Sequence, residues 1–316
     1  MARTPKSNLA PNAIRKNPHN PRLYFNDEKL DQLRTSLQEK GVLVPLIVYE
    51  DPEQSGSYVL MDGERRWRSA QDLGFDRVPV QVISAPNPVD NLVQMFNIHS
   101  VREEWSLVAI ALALQELMRM TGEDREGRLA DMTGLTRSTV RRAKRLLSLP
   151  RHELDLIQSE AHLDRNEQIH RVDLYLEIER AESVLRRSIP EIEDSFSRDE
   201  IIRQFARKRE EGSLRNVTDF RDVGKLAEAA KDDLVDRNRV VQAVTDLIED
   251  VDLNPPDVYE RVAALAVKQQ ELARRAELLG ESLQTVEGRG GLSANLVKQL
   301  QGLRQQIDDL LQRSGK

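Results

Sequence analysis

The sequence contains no cysteine. Disulfide scaffolds, zinc–thiolate sites and thiol nucleophiles are excluded, and the absence fits a reducing interior. Aromatic residues are nearly as scarce, 4% of the 316, against 32% charged residues. That balance points to helix-rich modules, some elongated, rather than one large dense core. A chain of this length usually serves two or three domains. Long apolar runs are missing as well. MARTPKSNLA lacks the apolar core of a signal peptide, and no stretch is long enough to span a bilayer, so the default is a soluble cytoplasmic protein with no membrane partner. The five histidines, His19, His99, His152, His162 and His170, are scattered and form no metal-ligand cluster. The net charge of −6 gives no reason by itself to expect nucleic acid, but an average can hide opposed patches.

What is present changes character along the chain. Residues 1–13 read as a flexible tail carrying Arg3 and Lys6. In IRKNPHNPRLYF, Pro18 and Pro21 hold the backbone extended or turned. DEKLDQLRTSLQEKG reads as a helix with Asn26 or Asp27 as its cap, a stripe of Leu30, Leu33 and Leu37, and Gly41 as its end. VLVPLIVYE and SYVLM are strands around the turn DPEQSG. Residues 64–73 form a short helix, and RVPVQVI is another strand. Short strands alternating with short helices predict a small α/β domain at 14–100.

After APNPVDN the pattern becomes helical. REEWSLVAIALALQELMRMTG places Trp105, Val108, Leu112 and Leu117 on an apolar side, and an all-α region is predicted at 101–250. Pro255 and Pro256 separate a last segment, 257–316, read as a helical hairpin with helices at 257–279 and 292–313 around VEGRGG. In its second helix Leu296, Leu300, Leu303, Ile307 and Leu310 are spaced 4, 3, 4 and 3, an a/d seam. Dimerisation through this seam and burial within one subunit both account for the pattern.

ADMTGLTRSTVRRAKRLLSLP is the stretch that suggests DNA. Ala130, Gly134, Val140 and Leu146 suit two helices crossing at a tight turn, a helix–turn–helix over 126–148, with Thr136 as N-cap. From Thr133 to His152 there is no acid, while Arg137, Arg141, Arg142, Lys144, Arg145 and Arg151 are basic, a local footprint for duplex DNA. The second helix would enter the major groove with Arg137, Ser138, Thr139 and Arg141 or Arg142 near the bases. Lys144 and Arg145 would lie on phosphate. A packing unit with solvated cations is the alternative.

MDGERRWRSAQDLG raises a second candidate. Gly63 sits where a strand yields to a helix, and a glycine there lets backbone N–H groups converge on an anion. Arg65 and Arg66 add fork-shaped donors for phosphate, with Arg68 one step further. Glu64 would orient an arginine or take part in ligand chemistry. The stretch matches neither the glycine-rich loop with lysine of common NTPases nor a dinucleotide-binding pattern.

IRKNPHNPR, GERRWRSA and a helix–turn–helix ending in RLLSLP occur in that order, and the combination resembles the ParB-type partition proteins over about residues 14–152. The resemblance implies a ParB/sulfiredoxin-like α/β domain binding CTP with Mg2+, a helix–turn–helix domain and a helical C-terminal dimerisation region. It implies a homodimer that recognises a palindromic, centromere-like site on double-stranded DNA, closes as a sliding clamp and works with a Walker-type, ParA-like ATPase on a nucleoid or plasmid. On this resemblance Asn17, Pro18, Pro21 and Arg22 lie beside the nucleotide, Gly41 near the cytosine base, and Gly63, Glu64, Arg65 and Arg66 around the triphosphate.

The third family block is altered. It reads FNIHSVREE, where Asn97 takes the position near the metal and His99 that of a glutamine. Arg102 reaches the arginine position only if Ser100 and Val101 are an insertion. Phe96 replaces an acidic residue and can neither bind Mg2+ nor polarise water. Nucleotide binding with weak or absent CTP hydrolysis is the expectation, with Phe96 as a core aromatic. A ParB-like transcription regulator or nucleoid-associated protein without a partition partner is the second reading. A phosphate-transferring or nucleic-acid-cleaving enzyme is disfavoured by the lack of a convergent carboxylate pair.

Overall fold

The computed structural model describes residues 7–20, 25, 27–100, 105–286 and 292–314, apart from the side chains of residues 99, 100, 286 and 314. The chain forms two compact units, 1–262 and 263–316.

The first unit begins with a five-stranded mixed sheet. Its strands are β1 (Ser7–Leu9), β2 (Ile14–Arg15), β3 (Leu46–Glu50), β4 (Tyr58–Asp62) and β5 (Val78–Ile83), in the order β1-β5-β3-β4-β2. β1 runs antiparallel to β5 with Ser7 opposite Val80, and β2 runs parallel to β4. The expected tail is therefore structured from residue 7 onward: three backbone positions complete the sheet edge. β3 starts at Leu46, not at Val42 as expected. Pro45 has no N–H to give a ladder, and Leu43 and Val44 stand 75% and 59% exposed before it. Ile14, Leu46, Val48, Leu60, Val78 and Val80 form the apolar core of the sheet, joined by Ala70 of α2 (Glu64–Asp72). α1 (Asp27–Lys40) packs beside α2 and buries Leu30 and Leu37.

α3 (Pro88–Ser100) leads from the sheet into the helical region. α4 (Leu107–Thr121) is capped by Ser106, whose hydroxyl accepts from Ala109 N–H, so Trp105 precedes the helix instead of lying on its face. Buried Ala109, Ala111 and Ala113 let α4 approach its neighbours closely. α5 (Glu126–Thr133) and α6 (Arg137–Leu147) follow, then α7 (Arg151–Glu160), α8 (Val172–Ser188), α9 (Arg198–Glu210), α10 (Phe220–Lys231), α11 (Arg237–Glu249) and α12 (Pro255–Val262). α8 and α10 form the centre of this part, where Tyr175, Ile178, Phe205 and Phe220 are buried. Lys208 of α9 is fully buried, and its Nζ donates to the carbonyls of Asp250 and Leu253 at 2.6 and 2.9 Å.

The helix expected at 257–279 is two helices. α12 belongs to the first unit, where Pro255 and Val258 are buried against α10 and α11, and the chain breaks step at Ala263. The second unit holds α13 (Ala264–Val286) and α14 (Ala294–Ser314), and most of the expected turn VEGRGG lies outside the described residues. Along α14, Leu296, Leu303, Ile307 and Leu310 are 37%, 37%, 46% and 61% exposed, and Leu300 is half-buried, so the seam presents an apolar stripe to solvent.

Candidate functional site

The basic stretch folds as two helices meeting at a tight turn. α5 ends on Gly134, whose φ of 72° is left-handed backbone that a glycine adopts without steric cost. Thr136 then caps α6, its hydroxyl accepting from Thr139 N–H at 3.1 Å. Val140, Ala143 and Leu146 turn inward against α4 and α5. The apolar and basic faces of α6 are therefore fixed by packing.

The cations on α6 fall into three groups. Arg137, Arg141 and Lys144 face the start of α5. The Arg137 guanidinium lies against Gly127, Arg141 pairs with Glu126 at 3.1 Å, and Lys144 Nζ donates to the carbonyl of Asp124 at 2.6 Å. Arg145 is committed elsewhere: its Nε donates to Glu179 at 2.6 Å and its Nη2 to the carbonyl of Leu176 at 2.6 Å. Arg145, expected on phosphate, thus fastens α6 to α8. Thr139 is half-buried, and its hydroxyl shares a 2.9 Å bond with Thr136. Ser138 and Arg142 remain exposed on the outer face of α6 with no hydrogen bond or ion pair among the described residues.

At the strand-to-helix junction, Gly63 has φ 100°, and a Cβ there would stand 2.7 Å from Leu46 Cδ2 and 3.0 Å from Arg66 Nη2. Close packing alone thus requires the glycine. Glu64 is buried and accepts from Asn20 at 2.5 Å and from Arg68 at 2.6 and 3.0 Å, with Lys16 at 3.9 Å. The acid gathers cations at the mouth of the junction. Arg66 does not face an open anion site. Its Nη1 donates to the carbonyls of Val44 and Pro45 at 2.5 and 2.8 Å, and its Nη2 reaches Asp62 at 3.3 Å, which pins the loop ahead of β3. Arg65 is the least committed cation of this turn, with a 3.5 Å contact to the carbonyl of Lys29.

Asn17 does not face a ligand either. It is 2% exposed, its Nδ2 donates to Asn91 Oδ1 at 2.9 Å, and Asn91 donates in turn to the Tyr49 hydroxyl at 2.9 Å. The amide chain ties the segment after β2 to α3 and β3. Burial raises the Tyr49 hydroxyl above its ordinary value. Gly41 caps α1 with φ 68° and has open space where a Cβ would point. Arg22 and Arg102 lie outside the described residues, as does the side chain of His99.

Phe96 is 1% exposed and meets Trp105 edge to face, ring centroids 5.3 Å apart, which bears out the core aromatic. Asn97 is exposed, with its side-chain oxygen against the Gly134 turn. Magnesium takes hard oxygen ligands, and among the described residues no group of three or more histidine, aspartate or glutamate side chains could hold it without oxygens from a bound phosphate. Asn97 alone, turned toward Gly134, does not make such a site.

A cleft of about 480 Å³ opens between α1 and α2, lined by Lys16, Arg34, Trp67, Arg68, Gln71 and Asp72, among others. No local sequence pattern announces the cleft, because Lys16, Arg34 and Trp67 come from three separate segments. Arg34 bonds Asp72 and Asp31, which raises the pKa of its guanidinium above its ordinary value. The Trp67 Nε1 donates to the carbonyl of Pro11 at 2.9 Å.

Residues 3–97 match the family model of the ParB N-terminal domain. The chain is 36% identical over 140 residues to the chromosome-partitioning protein ParB of Caulobacter vibrioides (strain NA1000 / CB15N), covering 43% of this chain and 44% of that protein. It is 31% identical over 155 residues to the nucleoid occlusion protein of Bacillus subtilis (strain 168), covering 49% of this chain and 54% of that protein. Among solved structures it is similar to the C-terminally truncated chromosome-partitioning protein ParB from Caulobacter crescentus complexed with CTP-gamma-S. That likeness has 28% identity and a TM-score of 0.29, over 53% of this chain and 92% of the other. The chain spans about half the length of the curated relatives it matches.

Proposed function

We propose that this chain, whose residues 3–97 form a ParB N-terminal domain, is a sequence-specific DNA-binding protein of chromosome or plasmid partition whose DNA grip is set by a bound nucleotide. The observation that carries the reading is the outer face of α6, separated from that domain's last helix by α4 and α5, where Ser138 and Arg142 have no internal partner among the described residues. In the major groove, Arg142 would supply the two-pronged donor that suits guanine, and Ser138 would bond either a base edge or a phosphate. Arg137, Arg141 and Lys144 border this face and reach the phosphates, which position the helix.

The nucleotide reading rests on Arg65 in the first turn of α2, on the cations gathered by Glu64, and on the cleft between α1 and α2. The resemblance implies CTP, and the described side chains favour an anion of any base. Magnesium, which the resemblance implies, would take most of its oxygens from the bound nucleotide. Hydrolysis is weak or absent in this reading, because Phe96 is packed on Trp105 and cannot activate water.

Closure follows if nucleotide binds the closed state better than the open one; equal affinity would shift nothing. Two copies then join through the α14 stripe of Leu296, Leu300, Leu303, Ile307 and Leu310. A Walker-type, ParA-like ATPase is the partner that the partition reading brings with it. Among the described residues no helix is long and apolar enough to cross a membrane, and association with nucleoid or plasmid DNA follows from the DNA reading.

A second reading is favoured by the likeness to a nucleoid occlusion protein: DNA binding on the nucleoid without a partition partner. Titration of the four ribonucleoside triphosphates, with and without duplex DNA, tests the nucleotide half. Uptake of CTP that Arg65→Ala abolishes is expected, and no uptake of any nucleotide would refute it. Chromatin immunoprecipitation separates the two readings: occupancy that spreads outward from the binding site supports the partition clamp, and occupancy confined to the site supports the nucleoid-associated protein.

A further inference from the structure

The beginning of α5 holds the phosphate-facing side of α6. Arg137, Arg141 and Lys144 follow one another at helical spacing along α6, and each meets a different feature of the segment 124–127. Two of the three partners are neutral. Gly127 presents bare backbone to the Arg137 guanidinium, with Nη2 3.3 Å from the position of a missing Cβ, and Asp124 offers Lys144 a main-chain carbonyl. Only Arg141 is held by a charge.

Glu126 takes Arg141 side-on. Nε donates to Oε2 at 3.1 Å and to Oε1 at 3.4 Å, and Nη2 lies 3.1 Å from Oε2. These are the two donors through which an arginine fork grips a phosphate bidentately. The carboxylate and a DNA phosphate therefore compete for the same atoms. Both partners are accessible, the Arg141 side chain 65% and the Glu126 side chain 33% exposed, so exchange needs no rearrangement of the core.

We propose that Glu126 is an internal competitor for Arg141: it occupies the arginine in the free protein and must release it before a backbone phosphate can be bound, which restrains duplex binding. The proposal rests on the reading of α6 as the DNA-contacting helix. An exposed ion pair is weak, so the restraint is modest, about two- to fivefold in affinity. Ser138 and Arg142, which have no internal partner, are not restrained, so the brake falls on a phosphate contact.

The test measures fluorescence anisotropy of a short mixed-sequence duplex with the full chain at several salt concentrations. The variants are Glu126→Gln, Arg141→Met, their combination, and Arg142→Ala, each checked for an unchanged melting transition. Glu126→Gln should bind about two- to fivefold tighter. Arg141→Met should lower the slope of log affinity against log salt by about 0.9, the loss of one phosphate contact. In the Arg141→Met background Glu126→Gln should have no effect.

Three outcomes overturn the proposal. Glu126→Gln binding no tighter than wild type refutes competition. Tightening that persists without Arg141 means the acid only repels DNA. If neither Arg141→Met nor Arg142→Ala alters duplex binding, the assignment of α6 itself has failed, and the proposal falls with it in a recognisably different way.

Discussion

The side-chain oxygen of Asn97 lies 3.0 Å from the point where a Cβ on Gly134 would stand. The last helix of the sheet domain thus touches the turn that sets α6. Gly134 is constrained twice, by its left-handed φ of 72° and by this neighbour. Gly41 has nearly the same backbone, φ 68°, with open space around it. Gly41→Ala should therefore report the backbone cost alone, about 1–2 kcal/mol. Gly134→Ala should cost more, and Asn97→Ala should recover the excess but not the backbone term. Urea unfolding of the four proteins checks this; equal costs at the two glycines would show that Asn97 yields freely.

Arg142 and Arg145 are three residues apart on one basic helix and should respond oppositely to removal. Arg145→Met strands Glu179 and the Leu176 carbonyl, partly buried acceptors, and should cost about 1–3 kcal/mol of stability. Arg142→Ala touches nothing internal and should change stability by less than about 0.5 kcal/mol. It should weaken operator binding by about 1–3 kcal/mol, the worth of a bidentate base contact. A stable Arg145→Met protein with poor DNA binding would reverse the assignment.

On α14, Leu303 and Ile307 are 37% and 46% exposed within their own unit. If a second copy covers them, Leu303→Asp with Ile307→Asp should halve the mass seen by sedimentation equilibrium without altering helix content. An unchanged mass would leave the stripe without the dimer role.

Local signals explain what could be read in advance. The α5–Gly134–α6 turn was legible because apolar spacing, a positive-φ glycine and a Thr cap all lie within 126–148. β1 was not: Ser7–Leu9 becomes a strand only by pairing with Val78–Val80, far along the chain. The same limit governs the site. Nothing near Arg145 announces Glu179, 34 positions away, and nothing near Arg66 announces the carbonyls of Val44 and Pro45. A run of arginines gives charge to a region, while its division into structural fasteners and free donors depends on distant partners. Asn17 shows the same for polarity, since its burial follows from Asn91, 74 positions on.

Lys208 supplies a pH test of the helical core. Burial pushes its ammonium down to about 8 from an ordinary 10.5, against the weaker pull of Asp250 and Asp252. Below about pH 8 folded and unfolded chains both hold the proton, and the group adds no pH dependence. Between there and about 10.5 the unfolded chain keeps a proton that the folded chain has released, so stability contributed at this position rises with pH. Lys208→Met removes the titration and leaves the carbonyls of Asp250 and Leu253 without their donor. The wild-type-minus-variant unfolding free energy should be flat from about pH 6 to 7.5 and then move in favour of wild type. A gain on the order of 1 kcal/mol by about pH 10 is expected, less than the full shift would give because solvent near the 250–254 turn screens the charge. A difference that stays level across that range, or falls, would show that Lys208 keeps its proton in the folded protein and that the carbonyls of Asp250 and Leu253, not burial, control it.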